Sequence, residues 1–251
     1  MGCLRVARRK GQGIVEYAVI LGLIALVVVL ALGAMGISVG DVYAAVVKAL
    51  GGEVSCKTYY HSDFGREIPS WIEIKNSFWG KFGSWQVKDG KLVSPRSGAM
   101  LLNGYSGSDY NISLSGIRLA NVSSTWNGYG VMFRSSLDAK NRLNGYMFEF
   151  ERRRPNEPIT MYFSYWVGGK QVVLNPPGKM VIPANSGWDN PANLTVSVQG
   201  NTFVASMNGK KIMEATDPKN LYTEGAVGVA SNAGSSIVVD DLAVKTPGCE
   251  E

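Results

Sequence analysis

The chain has 251 residues, a formal net charge of +5, 45% hydrophobic residues, 30 glycines, three cysteines and one histidine. That length fits one ordinary domain plus an accessory segment, or two small domains, and the balance of hydrophobic and charged residues excludes both a disordered chain and a polytopic membrane protein. The single histidine, His61, excludes most zinc sites and makes a Ser-His-Asp hydrolase depend on one residue, so no metal, no cofactor and no enzyme of those types is expected.

The first predicted element is a long apolar helix. No charge falls between Glu16 and Asp41, which leaves 24 uncharged residues from Tyr17 to Gly40, against roughly 20 needed to cross a bilayer. Arg5, Arg8, Arg9 and Lys10 precede the run, so the positive-inside tendency predicts an N-in, C-out orientation. The helical pattern continues through Val46 and Val47 to Leu50, and a helix from about Gly13 to Leu50 is roughly 57 Å long at about 1.5 Å per residue. Glu16 stands at the edge of this run, where a carboxylate needs a partner.

The stretch Arg9-Lys10-Gly11-Gln12-Gly13-Ile14-Val15-Glu16-Tyr17 resembles the processing site of type IV prepilins, in particular the short Flp-type pilins of Tad systems. The resemblance covers about residues 8 to 50 and implies cleavage by a prepilin peptidase between Gly11 and Gln12. Glu16 and Tyr17 then become the fifth and sixth mature residues, and the new amine of one subunit pairs with Glu16 of a neighbour to set the register of a helical polymer. The domains expected on this reading are a leader over 1–11, a pilin helix over 12–52 and a β-sandwich over 53–251. A pilus assembly platform in the cytoplasmic membrane is an implied partner. The plainer reading of the same helix is a signal anchor that tethers an outer domain.

After Gly51-Gly52 the pattern changes to short alternating runs broken by turn dipeptides. Tyr129 to Arg134 and Tyr146 to Glu151 are period-two strands, each preceded by an Asn-Gly pair at Asn127-Gly128 and Asn144-Gly145. Leu194 to Val198 turns through Gln199-Gly200-Asn201 into Phe203 to Met207, and Asn208-Gly209 turns into Lys211 to Ala215. Asp89-Gly90 and Gly168-Gly169 mark two more hairpins. About ten to twelve short strands predict an antiparallel β-sandwich, so the whole chain is expected to be α+β, a long hydrophobic helix followed by a jelly roll.

Gly83 to Val93, Gly128 to Arg134, Leu194 to Asp217, Gly225 to Val229 and Ile237 to Leu242 resemble segments of the concanavalin-like jelly roll in its laminin-G-like and 3-keto-disaccharide-hydrolase-like branches. The resemblance spans most of residues 60 to 245 and implies a fold that hosts lectins, glycosidases and structural modules alike. Cys56 and Cys249 bracket this domain, and a disulfide between them is expected, since Cys3 lies in the segment that cleavage removes.

Glu149 and Glu151 lie two apart on one strand, and the following Arg152, Arg153 and Arg154 favour two ionised carboxylates on a solvated face rather than a catalytic pair. Asp240 and Asp241 are expected in salt bridges or as edge charges. Trp126, Tyr129, Tyr165 and Trp166 are the candidate glycan contacts, because aromatic faces stack on sugar rings and these fall in or near turns, while Trp71, Trp79 and Trp85 are expected in the core or its lid. Asn111, Asn121 and Asn193 sit in Asn-X-Ser/Thr sequons.

The function expected from the sequence is a structural pilin that polymerises through its helix and displays the sandwich for adhesion, glycan binding or lateral contacts. It would pass from the cytoplasmic membrane to a filament on the cell surface. The alternative is a membrane-anchored carbohydrate-binding or carbohydrate-active protein. Removing the leader subtracts four basic residues and leaves 21 against 20 acidic, so no nucleic-acid partner is implied.

Overall fold

The computed structural model describes residues 17, 19–21, 23, 24, 27, 56–65, 70–75, 79, 84–122, 126–154, 156–184, 192–232 and 234–249. The chain divides into two compact units, Met1–Val54 and Ser55–Glu251. The expected α+β class is corrected here: the described residues are nearly all β. Among the described residues no helix is long and apolar enough to cross a membrane. The transmembrane helix and the membrane-bound precursor expected from the sequence are thus not found among the described residues. Gly11, Gln12 and Glu16 lie outside the described residues, and Tyr17 is helical and exposed.

The strands of the second unit run in the order β1 (Thr58–Ser62), β2 (Trp71–Glu73), β3 (Gln86–Lys88), β4 (Lys91–Val93), β5 (Ala99–Leu102) and β6 (Tyr110–Ala120). Then come β7 (Asn127–Leu137), β8 (Leu143–Arg152), β9 (Ile159–Val167), β10 (Lys170–Val173), β11 (Met180–Ile182) and β12 (Ala192–Gln199). The last are β13 (Thr202–Met207), β14 (Lys210–Thr216), β15 (Ala226–Ser231), β16 (Ser236–Val239) and β17 (Asp241–Lys245). They form two antiparallel sheets: a nine-stranded one in the order β14-β13-β12-β6-β16-β4-β3, with β17 beside β6 and β1 beside β17, and an eight-stranded one in the order β10-β9-β8-β7-β15-β5-β2, with β11 beside β9. Asn127-Gly128 and Asn144-Gly145, read from sequence as turns, lie inside β7 and β8, where strand pairing on both sides overrides the local turn preference. Asp89-Gly90 and Asn208-Gly209 do form two-residue turns with positive φ at both positions, the backbone hand that a twisted hairpin requires.

Between the sheets lies an aromatic core. Phe133, Tyr146, Phe163 and Phe203 are fully buried, with Phe133 and Tyr146 at 4.8 and 4.6 Å from Phe203. A second apolar cluster of Met132, Leu143, Met147, Trp166, Ile74 and Trp79 covers part of the outer face of the eight-stranded sheet.

The β7–β8 register shifts between Phe133 and Ser136, and the bulge turns Arg134 inward at φ 45°. Its guanidinium, 2% exposed, donates to Ser108 O, Tyr222 O and Asp109 Oδ1 at 2.8, 3.1 and 3.1 Å. Replacing Arg134 by Ala removes these three charge-assisted hydrogen bonds together with a buried side chain and is expected to lower stability by about 2 kcal/mol in urea denaturation. A loss below about 0.5 kcal/mol, the range of an ordinary surface change, contradicts that role.

The first and last strands, β1 and β17, are neighbours, and this juxtaposes the ends of the domain. Lys57 N–H donates to Thr246 Oγ1 and Thr246 N–H to Lys57 O, and Cys56 and Cys249 are bonded across a separation of 193 residues. Bonds of this kind form and persist in oxidising compartments.

Candidate functional site

Strand alternation builds the site. Tyr146, Phe148 and Phe150 of β8 enter the core between the sheets, so Met147, Glu149 and Glu151 occupy the outer face. On β9 the same alternation places Tyr162, Ser164 and Trp166 outward. Glu149 faces Gly130 on one side and Tyr162 on the other, Glu151 faces Gly128, and Gln171 of β10 faces Trp166. A Cβ on Gly130 would run into Met147, and one on Gly128 would strike the Phe150 carbonyl and come within 3.3 Å of Asn232 Nδ2. The two glycines therefore keep the sheet surface flat beside the carboxylates.

Glu149, Glu151, Trp166, Gly169, Gln171 and Asn232 line a depression of about 250 Å³ on this face. Glu149 is its floor at 3% exposure. Oε1 accepts from Ser164 Oγ at 2.6 Å and from Gln171 Nε2, and Oε2 accepts from Tyr162 Oη at 3.2 Å. Burial pushes the Glu149 pKa up to about 7, and the nearby Glu151 charge adds to the rise against those three hydrogen bonds. Glu151 accepts from Asn232 Nδ2 at 3.3 Å. Trp166, 6% exposed, forms one wall and packs at 5.3 Å from Trp79.

The sequence-predicted residues divide between the two faces. Trp126 is 57% exposed immediately before β7, two residues ahead of Gly128. Tyr129 stacks on Phe150 at 4.7 Å inside the core, and Tyr165 packs against the same core, so neither reaches the depression. Glu149, expected on a solvated face, is instead buried with a raised pKa. Asp240 accepts from Lys91 Nζ at 2.7 Å and from Arg118 at 3.1 Å, which hold its carboxyl below the usual range, and Asp241 pairs with His61 at 2.7 Å. Among the described residues no group of three or more His, Cys, Asp or Glu is placed to hold a metal ion. Of the sequon asparagines, Asn111 is buried on β6, Asn121 has a left-handed backbone, and Asn193 accepts from Gly116 N–H at 3.1 Å. Gln171 and Asn232 escaped the sequence reading; the Gly168-Gly169 turn was visible, but that it brings Gln171 over Glu149 depends on register.

No family model matches the chain. No curated protein matches it either. Among solved structures it is similar to the carbohydrate binding module CBM66 from Bacillus subtilis, at TM-score 0.51 and 17% identity over 68% of this chain and 91% of that one. It is similar to the laminarinase catalytic domain from Thermotoga maritima, at TM-score 0.56 and 9% identity over 78% of this chain and all of that one. A protein of unknown function with a galectin-like fold from Bacillus subtilis matches at TM-score 0.53 and 15% identity over 75% and 96% of the two chains. At these identities the likeness establishes the jelly-roll fold. The partners implied by the prepilin resemblance, a polymerising second copy, a prepilin peptidase and an assembly platform, have no counterpart among these structures.

Proposed function

We propose that this protein binds a carbohydrate on the outer face of its eight-stranded sheet and does not hydrolyse it. The observation that carries the reading is an amide-and-carboxyl depression on one sheet face, with Trp166 in its wall and an exposed tryptophan, Trp126, in the chain immediately before β7. Sugars present hydroxyls at the ring edge and C–H groups on the ring face, so their recognition needs paired donors and acceptors next to an aromatic surface. Gln171, Asn232 and Glu151 supply the first, and Trp126 and the edge of Trp166 the second. A carbohydrate binding module and several glucanases share the fold, which agrees with this reading.

A non-hydrolytic role is supported by the state of Glu149. Both of its oxygens are held by side-chain donors, and so little of it is exposed that its part is to hold Gln171 in place rather than to meet a glycosidic bond.

The test is retardation in gels containing laminarin, a β-1,3-1,4-glucan or κ-carrageenan. The wild-type chain is expected to be retarded by at least one, with binding about tenfold weaker in Trp126→Ala and in Gln171→Ala, the loss of about 1.4 kcal/mol. No retardation by any of the three, or unchanged retardation in both variants, contradicts the assignment. Release of reducing ends that disappears in Glu149→Gln or Glu151→Gln contradicts the non-hydrolytic part alone.

A further inference from the structure

The nine-stranded sheet carries a larger, mainly polar trough on its own outer face. Its volume is about 580 Å³, and it crosses β1, β17, β6 and β12, with the β13–β14 turn at one wall. Four strands at about 4.8 Å spacing make it roughly 14 Å across. The floor is low because the residues that meet in one cross-strand row, Ala243, Ser113 and Thr195, are small. Taller side chains rise around it: His61 and Asp241 at one side, Asn193 and Asn208 at the other.

The walls are fixed in place. Asn193 Oδ1 accepts from Gly116 N–H at 3.1 Å, and Asn208 Oδ1 accepts from Asn193 N–H at 2.8 Å. Because both partners are N–H donors, the carboxamide oxygens must face them, and each Nδ2 is left to the trough. The pairing of His61 with Asp241 through Oδ2 at 2.7 Å orients the carboxylate and leaves Oδ1 as an acceptor.

We infer that this trough is a second carbohydrate site, taking a hydroxyl-rich saccharide edge-on through hydrogen bonds, so that one domain holds glycan on both outer faces. Fixed NH2 donors, a carboxylate acceptor and hydroxyls that serve as either match sugar hydroxyls, each of which donates and accepts. Positive and negative side chains are balanced, which does not suit an anion. The trough lacks an aromatic platform, so recognition there is by ring edges. The site shares a ligand class with the one on the eight-stranded sheet but no residue.

The experiment is isothermal titration of the full chain with laminarihexaose, with Ser113→Arg to fill the trough and Asn208→Asp to replace a fixed donor by an anion while keeping its Oδ1 bond. Both positions face solvent, and thermal melts confirm that the variants fold. The expected result is two hexasaccharides per chain, one in Ser113→Arg, and about tenfold weaker binding at one site in Asn208→Asp. The double variant Trp126→Ala, Gln171→Ala is expected to retain the trough site. A single site that both trough variants leave unchanged and the double variant removes overturns the trough and leaves the first site standing. A single site removed by Ser113→Arg alone supports the trough and overturns the first site. No binding of laminarihexaose or of an oligosaccharide of either other polysaccharide overturns both.

Discussion

Reducing the Cys56–Cys249 bond is expected to lower the stability of the β domain by about 5 kcal/mol, the loop-closure value for a span of this length. The separation of 193 residues means that the bond ties the unfolded chain almost end to end. In the folded domain its partners are already neighbours through β1–β17 pairing and the Lys57–Thr246 hydrogen bonds, so little native structure has to rearrange when it is cut. The effect therefore falls on the unfolded ensemble. For a domain of this size the corresponding drop in Tm is roughly 10 °C. Thermal unfolding with and without a thiol reductant, and of Cys56→Ser with Cys249→Ser, checks it. The two should agree, and a Tm unchanged by both contradicts the account.

Glu149→Gln is expected to stabilise the protein at pH 8 by about 3 kcal/mol and to have almost no effect at pH 4. The sign follows from the raised pKa. Between about 4.5 and about 7 the unfolded carboxyl has lost its proton while the folded one keeps it, so the folded state binds more protons and stability falls as pH rises. Above about 7 both forms are ionised and the loss is complete. Glutamine keeps an oxygen for Ser164 and removes the charge. Denaturant unfolding of both proteins from pH 4 to pH 8 gives the difference directly, since other titrating groups cancel. A difference independent of pH contradicts a buried, reluctantly ionised Glu149.

The jelly roll was legible because its strands alternate with period two and its sharpest hairpins carry paired left-handed residues, as at Asn208-Gly209. The same local signals misled at Asn127-Gly128 and Asn144-Gly145, which are paired residues at the start of two long central strands rather than turns ahead of them. There the glycines serve the flat outer face and the bulge contacts rather than a turn. Face assignment was legible in principle from alternation: Tyr129 shares parity with the buried Val131 and Phe133, which marks it as core. The site itself was not legible. Glu149 is buried only because Tyr162, Ser164 and Gln171 arrive from two other strands, and its raised pKa belongs to that register rather than to the local run of arginines.

The central claim, that the outer face of the eight-stranded sheet receives a saccharide, is tested most directly by nitrogen–proton correlation spectra recorded during titration with an oligosaccharide of the polysaccharide that retards the chain. The indole N–H of Trp126 and the side-chain NH2 groups of Gln171 and Asn232 are separate reporters on that face. The expected result is saturable shifts in all three with one common dissociation constant. Spectra in which these three signals stay fixed at saturating sugar contradict the claim.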